Sequence, residues 1–166
     1  MPIKGVAQPE MIAANASLRL RRYDGSHAFA LPWYQDPETV RLVDGDEKLY
    51  TPELLQQMYA WQDAHGELYW IEVREEALWR PVGDVWLTPD DFAIVIGEHS
   101  RRRGGLGRAA VSALVDRAGS LGWDRVRVGE IYGFNDASRR LFAALGFREE
   151  EKTEKGHSYV LALGRE

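Results

Sequence analysis

The 166-residue sequence contains no cysteine. Disulfides, thiolate metal sites and a cysteine nucleophile are therefore excluded, and a cysteine-free chain suits the cytoplasm, the expected location. No apolar run approaches the roughly 20 residues needed to span a bilayer. Met1 to Ser17 lacks the basic start and apolar core of a signal peptide, so no membrane partner is expected. Positive charge is not in excess: the formal net charge is −5, whereas a nucleic-acid partner asks for a basic face. His27, His65, His99 and His157 show no metal-ligand spacing, and no metal is expected. With no repeat, low-complexity tract or linker, residues 1–166 read as one domain. Residues 1–17 form either a loose extension or a short helix over Glu10 to Asn15.

What the chain does have is a succession of strand and helix signals. Leu18 to Tyr23 alternates apolar and basic residues, as an edge strand would, and Asp24-Gly25-Ser26 turns the chain. Ala28 to Gly45 sets Trp33, Tyr34 and Asp36 between Pro32 and Pro37. It reads either as a loop fastened to the core by its aromatics or as a pocket wall, with a short helix from Pro37 to Leu42. Thr51 and Pro52 are the cap and first residue of a helix that ends at Gly66. Leu68 to Arg74, Val82 to Leu87 and Phe92 to Ile96 form an antiparallel meander. In Leu68 to Arg74, Tyr69, Ile71 and Val73 share one face and Leu68, Trp70 and Glu72 the other.

Leu106 to Leu121 is a helix with a polar stripe of Arg108, Ser112, Asp116, Arg117 and Ser120, and Arg125 to Glu130 is a strand. Together with Phe92 to Ile96 they make a βαβ crossover with parallel strands. Asn135 caps a helix ending at Gly146, and two more strands, Phe147 to Lys152 and His157 to Leu163, complete the chain. The fold class is α/β (α+β): a mostly antiparallel sheet of six or seven strands, with one parallel crossover and helices on both faces.

Between strand and helix lies Glu98-His99-Ser100-Arg101-Arg102-Arg103-Gly104-Gly105-Leu106-Gly107-Arg108. A helix N-terminus offers unpaired N–H groups and partial positive charge, glycines admit an anion to the backbone, and arginines add charge. This stretch reads as a pyrophosphate-binding turn, with a solvated basic turn as the plainer alternative. No Walker A sequence is present. Gly105 to Ala110 does satisfy the dinucleotide pattern G-x-G-x-x-A, with Glu130 about twenty residues further on. Against a nicotinamide dinucleotide stand the residues Glu98 to Gly104 ahead of the first motif glycine, and a remaining chain too short for a doubly wound sheet.

Arg102-Arg103-Gly104-Gly105-Leu106-Gly107 fits the Arg/Gln-x-x-Gly-x-Gly/Ala signature of the GNAT superfamily of acyl-CoA-dependent N-acyltransferases. Asn135-Asp136-Ala137-Ser138, Leu141-Phe142 and Leu145-Gly146-Phe147 resemble that superfamily's second segment. The resemblance runs from about Leu18 to the C-terminus. It implies a GNAT-like fold and N-acetyl transfer from acetyl-CoA to a primary amine, by direct attack in a ternary complex. The acceptor would be a small cationic molecule or a peptide N-terminus.

By resemblance, backbone groups of Val95 and Ile96 would bind the pantetheine arm, and Arg102, Arg103, Gly104, Gly105, Gly107 and Arg108 the pyrophosphate. Asn135 would contact the pantetheine arm, and Ser138 and Phe142 are the other expected cofactor-binding residues. Glu98 is the first candidate for the base, then Glu130, then His99. A backbone N–H near Ile96 or Gly97 would serve the oxyanion. Phe142 stands where many members carry a tyrosine acid, so Tyr132 or Tyr34, solvent, or an unprotonated thiolate takes that part. This also leaves a non-catalytic acyl-CoA-binding domain as an alternative. Trp33, Tyr34 and Asp36 are the expected acceptor-binding residues. Members are often dimers, so a homodimer is the assembly the resemblance admits.

Overall fold

The computed structural model describes residues 2–102 and 105–164. Its first sheet is an antiparallel ladder of Met11–Asn15 (β1), Leu18–Arg22 (β2), Glu67–Glu75 (β3), Leu78–Leu87 (β4) and Phe92–Ile96 (β5), in that order. Arg125–Tyr132 (β6), Arg148–Lys152 (β7) and Gly156–Ala162 (β8) form a second antiparallel sheet in the order β6-β8-β7. The strand absent from the sequence reading is β1, expected as a helix or loose chain. Its residues alternate between exposed and half-buried, and it pairs along β2 from Met11↔Arg21 to Asn15↔Leu18. So β2 is an interior strand, with Leu18 and Leu20 fully buried, rather than an edge.

Helices cover both faces of the first sheet. On one face Leu106–Ser120 (α4) packs Val111, Leu114 and Ala118 against Leu18, Leu20, Tyr69, Ile71 and Val85. On the other, Leu31–Tyr34 (α1), Pro37–Asp44 (α2) and Pro52–His65 (α3) bring Trp33, Tyr34, Val40, Leu55 and Tyr59 onto Leu68, Trp70, Trp86 and Val95. The period-two split of β3 is thus realised, with both faces buried. Asp136–Ala144 (α5) lays Phe142 against Phe92 and Phe147, at ring separations of 5.9 and 5.0 Å.

Three caps follow from composition: the Asp36 carboxylate accepts from Thr39 N, Thr51 Oγ1 from Leu54 N, and Asn135 Oδ1 from Ser138 N. One residue of the expected solvent stripe on α4 is otherwise engaged. Arg117 donates from Nε and Nη2 to Glu67, a carboxylate with 0% exposure that also accepts from the Tyr69 hydroxyl. A carboxylate so buried is tolerated only when charge-paired and hydrogen-bonded.

The two sheets meet at β5 and β6, which α4 connects. Among the described residues no ladder joins these two strands, so the expected parallel crossover exists in chain path but not as a hydrogen-bonded pair. At the start of β5 the Asp91 side chain bridges the junction instead. Its Oδ1 accepts from Phe92 N at 2.8 Å and from Gly129 N, on β6, at 2.9 Å. The register of β6 against β8 shifts between Val128 and Ile131, around that point.

Candidate active site

The divergence of β5 from β6 opens a cavity of about 410 Å³. Ladder alternation decides which backbone groups of β5 face it. Gly97 N donates to Val82 O, in line with the pairs Asp84↔Val95 and Trp86↔Ala93. In an antiparallel ladder hydrogen-bonded and non-bonded pairs alternate, so the peptide groups of Ile94 and Ile96 turn away from β4 toward the gap. Sequence reasoning named Val95 and Ile96. Val95 lines the cavity, but its backbone belongs to β4, and Ile94 takes its place at the open edge. The Gly97 amide, a candidate oxyanion donor, is likewise committed to Val82.

At the end of β5 the chain passes through a 3-10 turn, His99–Arg101, toward α4. Gly105 precedes α4 with φ of +78°, a conformation that favours glycine. Among the described residues no side chain caps α4, and its first turn holds no acidic residue. Its N–H groups and dipole are thus left to an anion, and Arg102, Gly105, Gly107 and Arg108 line the cavity beside them. Arg103 and Gly104 lie outside the described residues.

The facing wall comes from β6, α5 and α2. Ile131 packs in the α4-side core, so its neighbours Glu130 and Tyr132 turn to the opposite face, where α2 contributes Thr39, Leu42 and Val43. Glu130 is held below the usual carboxylate range by a hydrogen bond from Thr153 and by the backbone N–H of Lys155, at 3.1 Å from Oε2. Tyr132 is raised by burial and by the negative charges of Glu130, Asp44 and Asp46, which keeps its phenol protonated. Asn135, Ser138 and Phe142 also line the cavity. Asn135 acts as the cap of α5, and its Nδ2 reaches Leu42 O at 3.5 Å.

Four expected site residues are elsewhere. The Glu98 carboxylate is paired with Arg80, which also binds Glu75, and Glu98 is not among the residues lining the cavity. Trp33 lies flat on Gly97: a Cβ there would sit 2.2 Å from the indole. Tyr34 is 1% exposed and donates to Asp84 Oδ2 at 2.7 Å, so the aromatics of the 28–45 segment fasten it to the core. Asp36 caps α2 and receives His99 Nε2 at 2.5 Å. His99 Nδ1 lies 3.3 Å from Glu38 Oε2, so three potential ligand groups gather here although the histidine is far away in sequence. Each ring nitrogen of His99 thus faces a carboxylate.

Sequence reasoning missed Asp84, which Tyr59 also reaches, at 2.8 Å. Burial raises its carboxyl to about 6, although both tyrosine hydroxyls favour the ionised form. The available signal was an acid inside the apolar strand Val82 to Leu87. The α2 wall was invisible because its spacing is set only in three dimensions.

Residues 17–148 match the model of the acetyltransferase (GNAT) domain. The chain belongs to the GNAT acetyltransferase family. No curated protein matches it. Among solved structures, a domain from Methanocaldococcus jannaschii is similar at TM-score 0.78 and 22% identity, covering 90% of this chain and 100% of that one. An acetyltransferase from Salmonella typhimurium that modifies the N-terminal serine of ribosomal protein L7/L12 is similar at 0.69 and 16%, covering 93% and 100%. An aminoglycoside acetyltransferase in complex with coenzyme A is similar at 0.70 and 16%, covering 88% and 95%. These likenesses are of fold. In this GNAT domain the two signature segments are the α4 entry and the α5 cap, and both border the same cavity. No helix among the described residues is long and apolar enough to cross a membrane.

Proposed function

We propose that this GNAT domain transfers an acetyl group from acetyl-CoA to a primary amine on a small cationic acceptor or a peptide N-terminus. The observation that carries the reading is the composition of one cavity. It combines an open strand edge, an uncapped helix N-terminus with Arg102 and Arg108, and, on the α2 side, Glu130 with Tyr132. The first set suits an arm with amides and a pyrophosphate. The second suits an ammonium and a leaving group that needs a proton. The similar structures include one protein named for acetylating a peptide N-terminus and one named for aminoglycosides, both amine acceptors.

The residues divide the work as follows. Ile94 supplies edge N–H and C=O groups to the pantetheine amides, while the Ile96 C=O already accepts from Arg102. The Ile96 amide is the donor placed to meet a tetrahedral oxyanion. Ionised Glu130 draws in the ammonium, whose proton is lost to solvent water. Tyr132, held protonated, gives its proton to the departing thiolate and regains one from the proton that the new amide nitrogen sheds. Acetyl-CoA contributes the activated thioester. Glu98 is released from the role of base, since its carboxylate is engaged by Arg80 and does not line the cavity.

A thiol-release assay with acetyl-CoA over a panel of polyamines, aminoglycosides and peptides tests this. Acceleration above hydrolysis by at least one amine is expected. If acetyl-CoA raises the melting temperature but no amine accelerates release, the domain binds acyl-CoA without catalysis. Stabilisation by NAD and not by acetyl-CoA would overturn the reading.

A further inference from the structure

Arg102 reaches the cavity from a fixed position. Its Nε donates to Ile96 O at 3.0 Å, at the open end of β5. Its Nη2 donates to Thr39 Oγ1 at 2.6 Å, in the first turn of α2. A guanidinium only donates, so the Thr39 hydroxyl accepts from it and must give its single proton elsewhere. The Asp36 carboxylate receives that proton, with Oδ2 at 2.8 Å from Thr39 Oγ1. The same oxygen takes Thr39 N at 3.2 Å and His99 Nε2 at 2.5 Å. The donors thus run in one direction, from Arg102 through Thr39 to Asp36, and His99 closes the loop from the turn just ahead of Arg102.

We propose that Thr39, oriented by Asp36, is a positioning residue that aims Arg102 at the diphosphate of acyl-CoA. It thereby couples the α2 wall of the cavity to occupancy of the anion turn. This rests on the acyl-CoA reading above. The reasoning is entropic and directional. A free arginine side chain samples many rotamers, and immobilising it opposes binding. Here β5 and α2 hold the guanidinium by two of its nitrogens. Nη1, whose nearest ion-pair partner is Glu38 at 3.9 Å, is left able to donate to a phosphate oxygen. A polarised hydroxyl is a better acceptor than an isolated one, so the Asp36 carboxylate strengthens the Arg102 contact it does not touch. Asp36, expected as an acceptor-binding residue, acts on the cofactor side instead.

The test compares two ligands, CoA with its diphosphate and S-acetyl-pantetheine without one, by calorimetry on the full chain. Thr39→Val keeps the shape of the side chain and removes the hydroxyl. It is expected to weaken CoA about tenfold, the worth of one charged hydrogen bond, and to leave S-acetyl-pantetheine unchanged. Thr39→Ser should restore CoA affinity. In an Arg102→Ala background Thr39→Val should cost nothing further, since the two act as one unit. Unchanged CoA affinity in Thr39→Val overturns the proposal, as does equal weakening of both ligands, which would mark a general loosening of α2. Failure of the wild-type chain to bind CoA overturns the acyl-CoA reading and this proposal with it. Wild-type binding with an unaffected Thr39→Val variant removes only the proposal.

Discussion

Asp91 Oδ1 accepts the backbone N–H of Gly129 at 2.9 Å, at the junction where β5 and β6 separate. The same oxygen satisfies Phe92 N. One carboxylate thus replaces a strand-to-strand bond and defines where the gap begins. Asp91→Ala should leave two partly buried amides without this acceptor and destabilise the fold by about 1–3 kcal/mol. Asp91→Asn, which keeps a carbonyl oxygen, should lose less. Urea denaturation of both variants checks the ranking, and equal stability of Asp91→Ala and wild type would refute the bridging role.

Asp84 gives the protein a pH dependence with a definite sign. Burial raises its folded-state carboxyl to about 6, above the ordinary 3.8. The protonated form is favoured by folding. Stability from this group is therefore fully present below the unfolded value and is lost as pH rises through about 6. A gap of that size corresponds to on the order of 3 kcal/mol. Melting temperatures of wild type and Asp84→Asn between pH 4 and 7.5 should diverge in favour of the variant as pH rises. Parallel curves would mean that Asp84 titrates as if exposed.

Gly97 and Trp33 are in such contact that a methyl group at 97 meets the indole at 2.2 Å. Gly97→Ala should expel Trp33, cost about 1–3 kcal/mol as overpacking, and red-shift tryptophan emission. Combining it with Trp33→Ala should remove much of the penalty attributable to the clash. A double variant no better than the sum of the single ones would contradict this.

Catalysis should separate Tyr132 from Glu130. Tyr132→Phe is expected to lower kcat on the order of a hundredfold while leaving CoA affinity intact. In the wild type the raised Tyr132 phenol should extend activity further into alkaline pH than an ordinary tyrosine would. Glu130→Gln should chiefly raise KM for a cationic acceptor, and salt should mimic part of that effect. If Glu98→Gln instead abolishes turnover with both other variants active, the assignment reverses.

The elements that were legible in the sequence carry strong local signals. Thr51 and Pro52 announce α3, Asn135 announces α5, and the glycine-rich entry announces α4, because caps and turns are set within a few residues. The β1 strand was not legible, since Met11 to Asn15 has little propensity of its own and is a strand because β2 offers it an edge. Asp36 and Tyr34 looked like pocket residues because polar and aromatic side chains between prolines suit a pocket equally well. Only the distance to Thr39, or to Asp84 on another element, reveals the partner. Glu98 stands just beyond the strand end as expected, yet Arg80 from the neighbouring strand takes its carboxylate, which no local pattern could register. The cavity needed both motifs and the α2 wall, and the wall is purely a matter of tertiary packing.

The separation of β5 from β6 has a consequence for how binding and folding are linked. The peptide groups of Ile94 and the N–H of Ile96 are arranged as if for one more strand. An elongated guest with amides at matching intervals would complete the architecture, acting as a temporary member of the fold. Its departure would return the two sheets to a union maintained chiefly by α4, the Asp91 bridge and shared apolar packing. Ligand affinity and the cooperativity with which the two halves unfold should accordingly rise and fall together.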